Sequence, residues 1–530
     1  MNGKKVLSLL AGAMLLATAA CGADKMVTFN LAVEPRTIDP VLNNAVDGSI
    51  VIVNIFEGLV RIGFNDAPEP GCAESWDVSD DGMTWTFHLR DGLKWSDGKP
   101  LTSDDFRYGF ERLLDSANAS PYAYLGYFIK NGEKFFKGQA KVEDLGIETP
   151  DDRTVILHLD YQAPLLLDYL SYHVFYPARR DVVSKDPRGW TLNTQPLVCN
   201  GPFFVSEWKH NSEMTLLKNP YYWDADNVKI DAVKMVMITD SNTALAAYKS
   251  GNVDLINQLP PLMTPQLLAS GEAKVAPTLG TSFSVFNTTR KPFDDVRVRK
   301  AFALAVDRQV LVDKVTMGGQ KPAQAFIPFI IPGVDPAGKD FRAEDPTEYL
   351  PIHADVAAAQ KLLEEAGYPG GKGFPTVTYV YNGNPTNKAI AEALQAMWKQ
   401  NLGVTVELSQ QEWKVFIDTR VQKNYDIARH AYLVDFFDAA SLLDLWISDS
   451  FENVVGFNNA EYDALMRDSA RQMDRAKRID DLHKAEKILL ENMPVLPLYY
   501  YSTPYLLKSR VEGVYLSPRN WVFFRGASVK

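Results

Sequence analysis

The stretch "TVTYVYNGNPTNKAIAEALQAMWKQNLGVTVEL", residues 376–408, decides the fold class. "TVTYVYN" reads as a strand, "KAIAEALQAMWKQN" as a helix and "VTVEL" as a second strand. A strand, a crossover helix and another strand make a βαβ unit, so this part of the chain should hold a partly parallel sheet with helices on its faces.

Working outward, "DVAAAQKLLEEAG" is a helix between Asp355 and Gly367. Upstream, "TSFSVFN" from Thr281 is strand-like, and "DDVRVRKAFALAVDRQVLVDKVTMGG" gives two helical stretches. Asp307 caps the second of these and Gly318 ends it. Nearer the N-terminus, "MTWTFHLR" sets Met83, Trp85, Phe87 and Leu89 on one face of a strand, and Asp91-Gly92 and Asp97-Gly98 supply turns. A helix follows, capped by Thr102 or Ser103, with Phe106, Phe110, Leu113 and Leu114 as its apolar stripe.

At 530 residues the chain exceeds a single core and allows roughly three lobes. The 46% hydrophobic and 23% charged fractions are those of a folded globular protein. A net charge of -11 argues against nucleic acid, which needs a clustered excess of Lys and Arg.

The opening "MNGKKVLSLLAGAMLLATAAC" has Lys4 and Lys5, an apolar stretch and small residues before Cys21, the pattern of a secretory signal over residues 1–20. Thr18, Ala19 and Ala20 before the cysteine resemble a bacterial lipobox, although Thr18 stands where Leu is usual. Cys21 would then carry lipid, the alternative being an ordinary signal with Cys21 incidental. No later segment is long enough in apolar residues to span a membrane, so the anchor would be the only membrane contact. Cys72 and Cys199 remain, and an even remainder in an exported protein invites a disulfide, with two buried free thiols as the alternative.

The chain carries no recognisable catalytic or metal pattern. Its seven histidines never form HExxH or another close pair. "SEWK" at 206–209 has the S-x-x-K form without the accompanying S-D-N and K-T-G elements, and "AGYPGGKG" fails as a phosphate loop because Ala366 and Gly373 occupy its defining positions. No metal, cofactor or enzymatic activity is expected.

Four segments then form a series. "AESWDVSDDGMTWTFHLRDGLKWSDGKPLTSDDF", "NGPFFVSEWKHNSEMTLLKNPYYW", "DDVRVRKAFALAVDR" and "QEWKVFIDTRVQKNYDIAR" closely resemble, in order and spacing, the oligopeptide-binding proteins of ABC importers. The resemblance covers essentially the whole mature chain. It implies an α/β fold of the periplasmic-binding-protein type II-like class, with two α/β lobes joined by a two-segment hinge plus an extra α+β domain. Domain I would comprise 22–56, 184–279 and 503–530, domain II 57–183, and domain III 280–502, with the hinge near Gly280 and Ser502. Domains I and III would close on the ligand.

The resemblance also implies a site. Asp435, set in the apolar run "RHAYLVDFFDAASLLDLW", matches the aspartate that pairs with a peptide's α-ammonium. From its sequence alone an internal ion pair with Arg429 or Arg420 is the more ordinary role, and the resemblance reverses that order. The peptide main chain would lie between a stretch matching Ala45 and Val46 and one matching Ala431 and Leu433, with Asn44, Asn257, Phe283, Asn382, Trp413 and Tyr432 as pocket walls. Arg429 and Arg420 match arginines that neutralise the peptide C-terminus. Where relatives place a lysine and a histidine for longer peptides this chain has Thr316 and Asn387, which implies a tilt toward di- and tripeptides or a C-terminus left to solvent. Some relatives carry a disulfide beside the site, at positions that are Gly280 and Leu433 here. Asp438 is most simply a helix N-cap.

The function implied is a monomeric, lipid-anchored, extracytoplasmic receptor, in the periplasm or on the cell surface. It would bind short peptides with a free N-terminus and hand them to ABC permease subunits and, through these, to ATPase subunits. The alternatives are a binding protein of the same fold for a nickel chelate or an oligosaccharide, then a surface hydrolase or a signalling receptor.

Overall fold

The computed structural model describes residues 25–530 apart from Thr194, Ala337 and Asp435. The expected leader 1–20, Cys21 and Asp435 therefore lie outside the described residues. No described helix is long and apolar enough to cross a membrane.

The strand, helix and strand of 376–408 fold as read. Val377–Asn382 and Val406–Gln411 pair in parallel, and the helix Pro385–Leu402 crosses between them. The helix starts at Pro385 rather than Lys388, because a proline in the first turn loses no hydrogen bond and Asn384 caps it, accepting from Asn387 N at 2.7 Å. Ile390, Leu394, Trp398 and Leu402 recur at helical spacing and are buried against the sheet.

This unit is one edge of an 11-stranded mixed sheet. From it the sheet continues through Ile427–Leu433, Lys274–Phe286, Val495–Leu507, Leu255–Ile256, Met26–Asn30, Ala232–Val236, Glu213–Lys218 and Phe203–Lys209. Two apolar cores lie within residues 279–499, and two others are built from residues 27–273 and 506–527. The chain passes between these halves along the strands Lys274–Phe286 and Val495–Leu507, which pair with each other. Their register breaks midway, running to Pro277 opposite Ser502 and resuming at Thr281 opposite Tyr500. Across the break, side chains replace the ladder: Thr278 and Thr503 meet at 2.8 Å, and Thr503 Oγ1 donates to Asn520 Oδ1 at 2.7 Å.

A four-stranded antiparallel sheet orders Ala73–Val78, Thr84–Leu89, Thr154–His158 and Ile147–Asp151. Trp85, Phe87 and Leu89 are buried, as their alternation predicts. Helix Ser103–Leu114 is capped at Thr102, whose N–H reaches Asp105 Oδ2 at 2.9 Å, and its stripe of Phe106, Phe110, Leu113 and Leu114 is fully buried. Asp307 caps as expected, accepting from Val310 N at 2.8 Å. The following turn ends at Met317, in the left-handed region at φ 49°, rather than at Gly318, because Leu311–Thr316 is a π-turn and Met317 N reaches back to Val312 O.

The expected disulfide is corrected: Cys72 and Cys199 are free and buried. Each thiol has its own neighbours. Asn200 Nδ2 donates to Cys72 Sγ at 3.5 Å, and Cys199 Sγ donates to Phe203 O at 3.5 Å. Burial pushes the Cys199 thiol up to about 12. A thiol reagent should therefore leave both cysteines untouched in the native protein and label both after unfolding without reductant. Failure to label the unfolded chain would restore the bridge.

Candidate functional site

The strand Ile427–Leu433 is paired differently on its two edges. One edge is matched along its full length by Lys274–Phe286, from Ile427 opposite Phe286 to Leu433 opposite Gly280. On the other, Tyr379 and Val380 match only Ile427 and Ala428. From Arg429 to Leu433 that edge has no strand beside it among the described residues. An open edge of this kind offers its N–H and C=O groups to an added strand. The ring of His430 meets one of them, Nδ1 accepting from Ala431 N at 2.9 Å. Burial, with Arg420 beside it, holds the His430 pKa well below its usual value, so the ring stays neutral and can accept.

Gly280 lets the two strands approach. A Cβ there would stand 2.6 Å from Tyr432 O and 3.1 Å from Leu433 Cα, both backbone atoms. Gly280→Ala should therefore lower stability by about 1–3 kcal/mol. An unchanged thermal midpoint would show that the pair can spread without loss.

Facing this edge is the start of helix Val46–Ile55. Ala45 is extended (φ −126°, ψ 147°), and its carbonyl accepts from Asn43 Nδ2, Ser49 N and Ser49 Oγ, each at 3.0 Å. Ser49 Oγ also lies 3.0 Å from Nε2 of the buried His173, whose Nδ1 lies 2.8 Å from Pro40 O. Burial lowers the His173 pKa to about 4, so this ring too is neutral; Nδ1–H donates a hydrogen bond to Pro40 O, and Nε2 is left as an acceptor facing Ser49 Oγ and, at 3.4 Å, Asn43 Nδ2. The turn at 43–46 is thereby held rigidly, with Asn44 and Val46 left exposed. Asn44, Ala45 and Val46 line one cavity of about 170 Å³ together with Leu433 and Val434 from the opposite half. An adjoining cavity of about 280 Å³ shares Val46 and adds Asn257 and Thr503.

Farther back stand the two arginines, Arg429 on the strand and Arg420 on a neighbouring helix. Arg429 Nη2 donates to Tyr501 Oη at 3.3 Å. Arg420, from helix Trp413–Val421, is buried with its guanidinium 4.9 Å from the Phe416 ring centre, and its Nε has no hydrogen-bond partner among the described residues. Neither has a carboxylate partner among the described residues. Burial, then the charge of Arg429, lowers the Arg420 pKa to about 10. Two adjacent cations with no carboxylate partner among the described residues favour binding an anion.

The remaining expected residues divide. Ala431 and Tyr432 lie on the open-edged strand. Trp413 is exposed at the start of its helix. Asn382 ends its strand and accepts at Oδ1 from Asn387 Nδ2 at 3.0 Å, which commits the buried Asn387 to its own helix start. Phe283 is a correction: it is 0% exposed, stacked on His430 at 4.8 Å and edge-on to Trp446 and Phe326, so it is core and not a pocket wall. The strand's pleat turns it inward, a direction fixed by register. Sequence reading missed Ser49, Tyr122, Tyr172, Arg519 and Trp521, which line the cleft cavity. None sits in a motif, and only the fold brings them together.

Residues 67–453 match the family model described as bacterial extracellular solute-binding proteins, family 5 Middle. The oligopeptide-binding protein OppA of Bacillus subtilis (strain 168) is 36% identical over 515 residues, covering 95% of this chain and 92% of that protein. The unliganded open form of MppA, a periplasmic murein tripeptide-binding protein, superposes with a TM-score of 0.82 at 31% identity, over 95% of this chain and 97% of that one. The complex of Haemophilus influenzae OppA with RPPGFSPFR gives 0.73 at 32% identity, over 95% and 99%. With identity and coverage nearly equal, the better fit is to the open form. This chain, then, belongs to the bacterial extracellular solute-binding proteins of family 5.

Proposed function

We propose that this chain captures short peptides between its two halves and delivers them to an ABC permease, performing no chemistry itself. The observation that carries this reading is the half-paired edge from Arg429 to Leu433, set across a cavity from Ala45 and Val46. A peptide added to that edge would be held through backbone groups common to all peptides. Arg420 and Arg429 supply the charge for its carboxylate end. Asp435, two residues past Leu433, is assigned to its α-ammonium.

Closure is assigned to rotation of domain III (280–502) against domain I (22–56, 184–279 and 503–530), with domain II (57–183) following domain I. The break in register between Pro277 and Thr281 supports a hinge there, since few ladder bonds oppose reorientation. Ligand drives closure only by binding the closed form more tightly than the open one. Cys21 is assigned as the lipid-bearing residue, which would keep a monomeric receptor near its permease and, through it, the ATPase subunits.

The test is calorimetric titration of protein unfolded and refolded to remove co-purified ligand, using mixed tripeptides and the same set N-acetylated. Free peptides should bind and acetylated ones should not. Binding of neither set would remove peptides as the ligand.

A further inference from the structure

The run "GGQKPAQAFIPFIIPG", residues 318–333, is apolar from Ala325 to Pro332, and most of that stretch enters the core. Phe326, Ile327 and Ile331 are fully buried, whereas Phe329 between them is 39% exposed. The next residue, Ile330, is held at φ 68°, a conformation that a β-branched side chain rarely adopts and that clusters at ligand sites.

Phe329 walls a cavity of about 430 Å³ together with Val275, Pro277, Pro328, Ile330 and Tyr500. Two bonds hold the segment against the strand Val495–Leu507: Ser502 Oγ donates to Gly318 O and Tyr500 Oη donates to Ala325 O, each at 2.9 Å. Gly319 closes one end, where a Cβ would stand 2.8 Å from Val275 Cγ2. The cavity is thus built into the fold, and its walls come from both sides of the break in register. It is separate from the cleft. Val275 pairs with Pro504 and Pro277 with Ser502, so these share one face of the ladder, while Thr503, opposite Ala276, lies on the other face and lines the cleft cavity with Asn257. Tyr501 borders the hinge cavity, and its hydroxyl accepts from Arg429 at 3.3 Å, so one residue touches both.

Lys321 is the single charged residue lining this cavity. Its Nζ stands 5.1 Å from the Phe329 ring centre, and it forms no salt bridge among the described residues. Apolar walls of this volume with one convergent cation suit a small organic anion. We propose that the cavity is a second binding site, for a small apolar carboxylate whose hydrocarbon part lies against Phe329, Pro277 and Val275 and whose charge meets Lys321, and that its occupant biases the hinge. An occupant touching Val275 and Pro277 on one side and Phe329 on the other is squeezed or released as the halves rotate, so it binds the open and closed forms unequally. The bias, but not the binding, rests on the hinge assigned above.

The experiment titrates octanoate and octanol into protein unfolded and refolded to remove co-purified ligand, using the wild type, Lys321→Met and Val275→Trp. Octanoate should bind the wild type about fivefold more tightly than octanol. Lys321→Met should erase that preference while octanol still binds, which also reports that the variant is folded. Val275→Trp, which fills the cavity, should bind neither. With octanoate saturating, the affinity for a tripeptide should change by about fivefold or more, in the direction set by the form that the occupant prefers. No binding of octanoate, a preference that survives Lys321→Met, or full binding to Val275→Trp would overturn the site. Octanoate binding with unchanged tripeptide affinity would overturn the bias on the hinge alone. Octanoate binding to a protein that takes up no peptide would overturn the peptide reading and leave the site standing.

Discussion

Asp435→Asn is expected to weaken binding of a free tripeptide by about 100-fold or more, and to leave the already weak N-acetylated peptide unaffected. The carboxylate sits in an apolar run, where an unpaired charge costs several kcal/mol. Its neighbours are tied to the core: Val434 N donates to Leu279 O at 3.0 Å, and Val434 and Phe437 are buried. Asn keeps the shape and removes the charge, leaving a bound ammonium without its partner. Losing one member of a desolvated charge pair costs about 2–5 kcal/mol, and about 2.7 kcal/mol corresponds to 100-fold. The competing role, an internal pair with Arg420 or Arg429, predicts a different stability readout. In that case Asp435→Asn would lower the thermal midpoint of the ligand-free protein. If Asp435 awaits a ligand, the ligand-free midpoint should hold or rise, because an uncompensated charge has been removed. A falling midpoint with unchanged affinity would return Asp435 to a structural role.

The elements that sequence disclosed are those governed by local rules. The βαβ unit at 376–408, the caps at Asp307 and Asp355 and the buried alternation of Trp85, Phe87 and Leu89 follow from propensity and periodicity within a dozen residues. Reading failed where partners are distant. Cys72 and Cys199 are even in number, but whether two thiols meet depends on packing that arithmetic does not contain. Phe283 resembled a wall residue, and one step of pleat put it in the core. Trp521 emerges only when residues near 44, 433 and 521 converge on one cavity. Thr316 and Asn387 illustrate the reverse case. Their polar side chains are spent locally, Thr316 Oγ1 on Gln320 Oε1 at 2.9 Å and Asn387 Nδ2 on Asn382.

Asp438 combines both cases, and the second large effect is expected there. It sits one residue before the N-cap, which is Ala439 of the short helix Ala440–Leu443, rather than at the cap its sequence suggested, and its Oδ1 accepts from Ala440 N at 2.9 Å. Its main partner lies 40 residues on: Arg478 Nη1 and Nη2 donate to Oδ2 and Oδ1, each at 2.7 Å, with both side chains at most 2% exposed. Arg478 belongs to helix Arg475–Asn492, so the pair fastens the segment just beyond the open-edged strand to an 18-residue helix. Asp438→Ala leaves a buried guanidinium unpaired and should destabilise by about 3–5 kcal/mol, whereas Asp438→Leu with Arg478→Met, which removes both charges, should recover most of that loss. The pH dependence has a defined sign. Burial alone would raise the Asp438 pKa, but Arg478 outweighs it and holds the folded-state value below the usual carboxylate range. The stabilisation is therefore present above the unfolded pKa of about 3.9 and is lost as pH falls through the folded value. Denaturant midpoints measured on acidification should fall steeply for the wild type below about pH 4 and less steeply for the double variant. Parallel acid limbs in the two proteins would assign the acid lability to another carboxylate, and equal stability of Asp438→Ala and the wild type would remove the pair as the clamp on this segment.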